Sequence, residues 1–391
     1  MVSWSAHQLY MEAKSKLGTQ QATNLRQYAR VLQRKNLPVV FTLNHLAKIT
    51  GISHTLLRDT VERGRERKNS RIYSIKKSSG GERFIHVIND DLAFVQKFIN
   101  SEILQKLTPH PCSYAFHESG GVRECAEIHC GARWLFKFDL CDFFYHINER
   151  HVFEVFLNAG YRNLIAFEMA RLCTTTRMPS NLHYLLKPNK SGIETQDKKY
   201  RFYNQHNEKL GLLPQGAPTS PMLSNLVAFK LDQKLETFAR EHGLTYTRYA
   251  DDITFSTSDD LPEKTSIGYI QRSVIKIISQ CGFRNNTGKM HVAGPGSRKI
   301  VLGLLVDGEK ARISKATFKR VDRLLHSIKV YGLDAVSVHE QFKSPVGLYE
   351  HLRGLLAFVK DVDTARWDEF KIQFHQVTSP WTDEPIVSGS L

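Results

Sequence analysis

Three aspartates stand where a carboxylate either does chemistry or is badly placed. Asp139 ends the stretch Trp134 to Asp139, in which Trp134, Phe136 and Phe138 alternate with Leu135, Lys137 and Asp139. That period belongs to a half-buried strand, and the aromatic run Phe143 to Tyr145 follows it. Asp251 and Asp252 separate two β-rich runs, Leu244 to Tyr249 and Ile253 to Ser256, which puts both acids at a hairpin tip. Neighbouring carboxylates repel, and a cation relieves the conflict. Asp is also a good turn residue for purely local reasons.

Two further segments could act on phosphates. Leu213 to Ala217 is a loop containing Gln215 and Gly216, followed by a helical pattern in which Ser220 can cap and Pro221 can take the first position. Leu223, Val227, Leu231 and Leu235 then form one apolar stripe. A Gly loop entering a helix suits contact with a phosphate or a base, although Gly and Pro are also ordinary punctuation. Lys289 lies in a loop ahead of a strand from Lys299 to Val306, and taken singly it reads as a solvated lysine.

These residues need elements to hold them. Residues 19–68 read as helical, interrupted at Pro38, and end in a basic run holding Arg63, Arg65 and Arg67. From Arg71 the period becomes two, and Gly80 and Gly81 can supply the positive φ of a hairpin turn. Helix returns at 91–107, while 174–210 is polar and reads as an inserted loop. Near Ala311 a helix is expected to carry Arg312, Lys315, Lys319 and Arg323 on one face, with Phe318, Val321, Leu325 and Ile328 opposite. Leu348, Leu352, Leu355, Leu356 and Val359 predict another helix, and the tail from Ser379 reads as loose.

Across 391 residues, 54 Lys and Arg against 39 Asp and Glu give a net charge of +15, which makes a polyanion the natural partner. The excess is uneven, since the first 70 residues hold twelve basic and four acidic side chains. No run of eighteen apolar residues occurs, and the start has no apolar stretch behind a basic one, so the expectation is a cytoplasmic protein without a membrane span or secretory signal. Six scattered cysteines read as free thiols. Cys125, His129 and Cys130 match no zinc-finger spacing.

Taken in order, these segments resemble a reverse transcriptase, most closely the bacterial retron type, whose palm reads much like the RYADDITFS and LPQGAPTSPMLSNL found here. The resemblance implies an α+β right-hand polymerase fold. Its division would be a basic helical region at 1–70, fingers and palm with an antiparallel sheet at 71–310, and a helical thumb and tail at 311–391. By the same resemblance Asp139, Asp251 and Asp252 hold metal, Lys77 and Arg83 grip the triphosphate, and Gln215 with Gly216 contacts nucleotide and template. Phe144 stands at the position that screens the sugar 2′ carbon, and Lys289 at that of a lysine which protonates the leaving pyrophosphate. The family's Asn-Ala-x-x-His and Val-Thr-Gly boxes are altered here to Cys125 to His129 and Val301 to Gly303.

Oxygen-only donors point to two Mg²⁺ ions, with Mn²⁺ a possible substitute, clamping charge during phosphoryl transfer. The implied activity is RNA-directed DNA synthesis from dNTPs, copying a structured non-coding RNA into short DNA (msDNA), with an effector protein in anti-phage defence. Arg63, Arg65, Arg67 and the basic helix face would hold the nucleic acid. A group II intron-like or other bacterial reverse transcriptase is the nearest alternative, and an idle RNA-binding scaffold is an alternative of another class.

Overall fold

The computed structural model describes residues 5–76, 80–186, 203, 210–261, 265–377 and 379–381. Lys77 and most of the 174–210 segment lie outside the described residues. Helices come first: α1 (Ala6–Leu17), α2 (Thr19–Arg34), α3 (Leu43–Thr50), α4 (His54–Val61) and the single turn α5 (Glu66–Asn69). Their starts have local causes. The Ser5 hydroxyl accepts from the Gln8 amide and Gln8 returns a bond to the Ser5 amide, while the Thr42 hydroxyl accepts from the His45 amide.

The antiparallel hairpin β1 (Ser70–Lys76) and β2 (Glu82–Ile88) follows, with Gly80 at φ 85° and Gly81 at φ 81°, both in the left-handed region expected of them. Helix α6 (Asp90–Glu102), capped by Asn89, then leads to α7 (Val122–Glu127) and β3 (Trp134–Asp139). Next come α8 (Glu149–Ala159), α9 (Asn163–Cys173), α10 (Ser220–Val227), α11 (Phe229–Glu241), β4 (Thr245–Tyr249), β5 (Asp252–Thr257), α12 (Ile267–Gln280) and β6 (His291–Ala293).

The central sheet is antiparallel, in the order β4-β5-β3-β6. β3 is an interior strand and is covered on both faces: Phe136 and Phe138 enter one core, and Leu135 enters another. The first core also takes Leu32, Leu46 and Leu57 from the amino-terminal helices and Leu223, Leu231 and Leu235 from α10 and α11. The amino-terminal helices therefore pack on the same core that supports the sheet.

A small sheet of β7 (Ile300–Val301), β8 (Leu304–Leu305) and β9 (Arg312–Ile313) leads into α13 (Lys315–His339), α14 (Pro345–Val362) and α15 (Thr364–Phe374). Leu302 at φ 49° and Gly303 at φ 86° form the two-residue turn between β7 and β8. Val321, Leu325 and Ile328 of α13 are buried with Leu352, Leu356 and Phe370 in the second core. Two expectations fail here: the single strand expected from Lys299 to Val306 is the β7–β8 hairpin instead, because Leu302 and Gly303 turn the chain back, and the helix expected to carry Arg312 starts later. Arg312 lies in β9, because the Ser314 side chain accepts from the Thr317 amide and starts the helix at Lys315. Helix α13 is also broken at Gly332, whose φ of 79° and ψ of 160° are not helical.

Candidate active site

The carboxylates meet because three strands share one register. Asp139 at the end of β3 lies opposite Asp252 at the start of β5, and Asp252 in turn pairs with Tyr249 of β4. Ala250 and Asp251 make the turn between β4 and β5. Ala250 has φ 54°, a left-handed conformation that costs an L-residue roughly 1–2 kcal/mol and so needs support. The Leu140 amide supplies some by donating to the Asp251 carbonyl at 2.9 Å.

Asp139 is almost fully buried, while Asp251 and Asp252 are half-buried. The Asp139 carboxylate accepts from Lys289 Nζ at 2.8 Å and from Asn286 Nδ2 at 3.0 Å. The Asn286 amide also donates to the Asp139 carbonyl at 2.7 Å, which fixes the loop carrying Lys289 against the end of β3. The bond to Asp139 raises the pKa of Lys289, so the ammonium keeps its proton. Burial, and then the charge of Asp139, raises Asp251 above the usual carboxylate range. Burial and the charge of Asp251 push Asp252 up to about 6. Two of the three acids thus ionise reluctantly, because burial strips water from their charges and neighbouring carboxylates repel them. Hard oxygen donors crowded in this way fit a divalent cation of the Mg²⁺ type.

Asp139 and Asp251 open onto a cleft of about 610 Å³, with Asp252 paired beside Asp139 on β5. Asp139, Asp251, Lys289, Arg83, Phe144 and Gln215 are all among its lining residues, so six residues singled out in the sequence share one cavity. Arg83 is delivered by the β1–β2 hairpin. Gln215 is pinned to that hairpin, since its carbonyl accepts from the His86 amide at 2.8 Å. The approach explains Gly216: at φ 110° an added Cβ would lie 2.6 Å from the His86 carbonyl oxygen. The Phe144 ring stands 5.6 Å from that of Phe143 and 6.4 Å from that of Phe116 and is partly buried between them.

The profile of the reverse transcriptase (RNA-dependent DNA polymerase) family matches residues 75–304. The chain is 30% identical over 335 residues to the retron Ec86 reverse transcriptase of Escherichia coli, a match covering 85% of this chain and 88% of that one. It is 31% identical to the retron Mx65 reverse transcriptase of Myxococcus xanthus, over 84% of this chain and 70% of that one. A structure of telomerase from Candida albicans in complex with a telomeric RNA fragment overlaps with a TM-score of 0.37 at 15% identity, covering 79% of this chain and 56% of that one.

The chain belongs to the retron reverse transcriptases. It is an RNA-directed DNA polymerase with the α+β right-hand fold, and reverse transcriptases work on an RNA template with divalent metal. No helix among the described residues of this reverse transcriptase is long and apolar enough to cross a membrane.

The basic residues singled out for nucleic acid fall into two groups. Arg67, Arg312, Lys315 and Lys319 are exposed, and so is Arg323, which reaches Glu340 at 3.2 Å. Arg65 is half-buried, with Nε 3.4 Å from the Asn69 side chain. Arg63 does not fit a surface role. Its guanidinium is buried, pairs with the fully buried Glu149 and with Glu66 at 2.9 Å, and donates to the Thr174 carbonyl at 2.6 Å. It ties the amino-terminal helices to α8 and the end of α9.

Three residues in or behind the cleft have no signal in the local sequence. Asn286 orients Asp139, and Phe116, at φ 68°, backs Phe144 from a loop. Arg248 lies behind the Ala250 turn. Of the altered family boxes, His129 is buried with its ring nitrogens 2.6 Å from Ser256 Oγ and 2.7 Å from Thr247 Oγ1, which braces α7 against β4 and β5.

Proposed function

We propose that this cleft is where the enzyme adds deoxynucleotides to a primer on an RNA template, copying a structured non-coding RNA into msDNA. The observation that supports this most is the meeting of Asp139, Asp251, Arg83, Phe144, Gln215 and Lys289 in one cavity from segments spread over two hundred residues. Asp139, Asp251 and Asp252 would hold two Mg²⁺ ions, with Mn²⁺ able to replace them. Bound there, the metal supplies Lewis acidity and charge neutralisation for in-line phosphoryl transfer.

The chain's own groups divide the remaining work. Arg83, with Lys77, neutralises the triphosphate. Gln215 and the tight Gly216 backbone seat the incoming base pair. Phe144 places its ring where a ribose would carry its 2′-hydroxyl, so dNTP is preferred by exclusion. Lys289 holds its proton next to Asp139 until positive charge arrives there. It is then free to turn to the pyrophosphate and donate that proton to the leaving oxygen.

Arg67, Arg312, Lys315, Lys319 and Arg323 would track the phosphate backbone. The segment division expected from the sequence is kept as part of this reading: a basic helical region, fingers and palm, and a thumb. We place the enzyme in the cytoplasm, acting with an effector protein in anti-phage defence. Sequencing the RNA and DNA that co-purify with the expressed protein tests the reading. One abundant RNA with a DNA copy of part of it is expected, and a heterogeneous RNA population with no DNA would overturn the retron assignment.

A further inference from the structure

Behind the Asp251 turn, and outside the cleft, lies a fully buried cation that the chemistry above does not use. Arg248 has no exposed side-chain surface, and neither has its partner Asp232 on α11. The pair is bidentate, with Nε to Oδ1 at 2.6 Å and Nη2 to Oδ2 at 2.7 Å, and Tyr246 donates to the same carboxylate at 2.7 Å. An ion pair anchored this firmly leaves the other guanidinium hydrogens aimed in fixed directions.

Those hydrogens go to the catalytic turn and to two segments packed behind the cleft. Nη1 donates to the Ala250 carbonyl at 3.0 Å, the strained residue immediately before Asp251. Nη1 also donates to Asn225 Oδ1 at 3.0 Å, on the helix that follows the Gln215–Gly216 loop. Nη2 donates to Ser113 Oγ at 3.1 Å. The backbone of Arg248 pairs with the same segment, donating to the Cys112 carbonyl at 2.8 Å and accepting from the Tyr114 amide at 2.9 Å. Asn225 Nδ2 closes the circuit on the Ala115 carbonyl, next to Phe116.

We propose that Arg248 is a positioning residue that holds the Ala250–Asp251 turn in its left-handed form and ties it to the Gln215 loop and to the Phe116 wall. One rigid fork contacts the catalytic turn and the two segments that adjoin the Gln215 loop and Phe116, which a single-point cation could not do. The proposal rests on the reading of Asp251 as a metal-holding acid, so the test must separate the two.

The test compares Mg²⁺ titrations of primer extension for Arg248→Lys, Ser113→Ala and Asp251→Asn. Lysine keeps the charge beside Asp232 but cannot also reach Ala250, Asn225 and Ser113. Arg248→Lys should raise the Mg²⁺ needed for half-maximal rate and lower kcat by roughly 10- to 100-fold, with template-primer affinity unchanged. Ser113→Ala removes one bond of the same guanidinium but leaves its bond to Ala250 and the backbone pairing of Arg248 with Cys112 and Tyr114, so both the turn and its tie to the Phe116 segment remain. It should lower the melting temperature while leaving the Mg²⁺ dependence as in the wild type.

If Arg248→Lys does not fold, the double variant Arg248→Met with Asp232→Asn takes its place, since it removes the fork from the Ala250 carbonyl without leaving a buried, unpaired carboxylate. Wild-type Mg²⁺ dependence in the folded variant overturns the proposal, as does an equal change in Ser113→Ala. Asp251→Asn keeps the two failures apart. If it retains synthesis, the metal reading fails; if it is inactive while Arg248→Lys is normal, only the positioning role fails.

Discussion

Replacing Phe144 by Val separates a sugar-screening role from a packing role. The ring is partly buried, 5.6 Å from Phe143 and 6.4 Å from Phe116, and it lines the cleft that holds Asp139 and Asp251. Complete burial would make truncation cost about 3–5 kcal/mol, so a half-open site should lose about 1–2 kcal/mol. For a chain of this size that is a melting shift of only a few degrees, on the order of 1–3 °C. Steric discrimination of one hydroxyl by one side chain amounts to about 1–3 kcal/mol, or roughly 10- to 200-fold. The ratio of kcat/KM for rNTP to that for dNTP should therefore rise by that factor in Phe144→Val. The assay is single-nucleotide extension run alongside thermal unfolding. A destabilised enzyme with unaltered sugar preference would refute the screening role and leave Phe144 as one more packed aromatic.

Three other outcomes follow from the geometry. Gly216→Ala should sharply reduce kcat/KM for dNTP, because its Cβ would lie 2.6 Å from the His86 carbonyl at φ 110° and push Gln215 off β2; steady-state kinetics with near-normal values would contradict the close approach. Reversing the charge of the exposed Lys315 and Lys319 should weaken template-primer binding and flatten the salt dependence by about one unit per lost phosphate contact, which fluorescence anisotropy at several salt concentrations measures. Burial holds His86 and His129 neutral with pKa values lowered to about 4. The unfolded chain takes up these protons first, so the stability is present above about pH 6.5 and is lost as pH falls towards 4, by on the order of 3 kcal/mol for each group. Denaturant unfolding should show this slope, with a smaller one in His129→Asn, and a flat profile from pH 7 to 4 would contradict it.

The parts of the site that are legible in the sequence are those fixed by local periodicity or local turn chemistry. Strand β3 with its terminal Asp139, the hairpin tip at Asp251, and Gly80 with Gly81 all belong to that class. What the sequence hides depends on distant partners. Arg63 reads as surface charge, yet Glu149 and Thr174, 86 and 111 positions away, draw it inside. Asn286 is 147 positions from the Asp139 it orients, and Arg248 bonds to Ser113 across 135. Arg312 went astray for a different reason. Its spacing continues the helical stripe backwards, but the Ser314 and Thr317 pair ends the helix before it, a local signal outweighed by charge periodicity.

The central claim is that this retron reverse transcriptase makes DNA at the Asp139, Asp251 and Asp252 cluster. Primer extension on an RNA template with dNTPs, with and without Mg²⁺, for the wild type and for Asp139→Asn, Asp251→Asn and Asp252→Asn tests it most directly. The wild type should extend only with the metal. Each variant should remain folded and RNA-bound but fail to extend, since each loses a carboxylate at a strand end or turn and little packing. Metal-independent synthesis, or near-normal extension by Asp139→Asn and Asp251→Asn, would contradict the account.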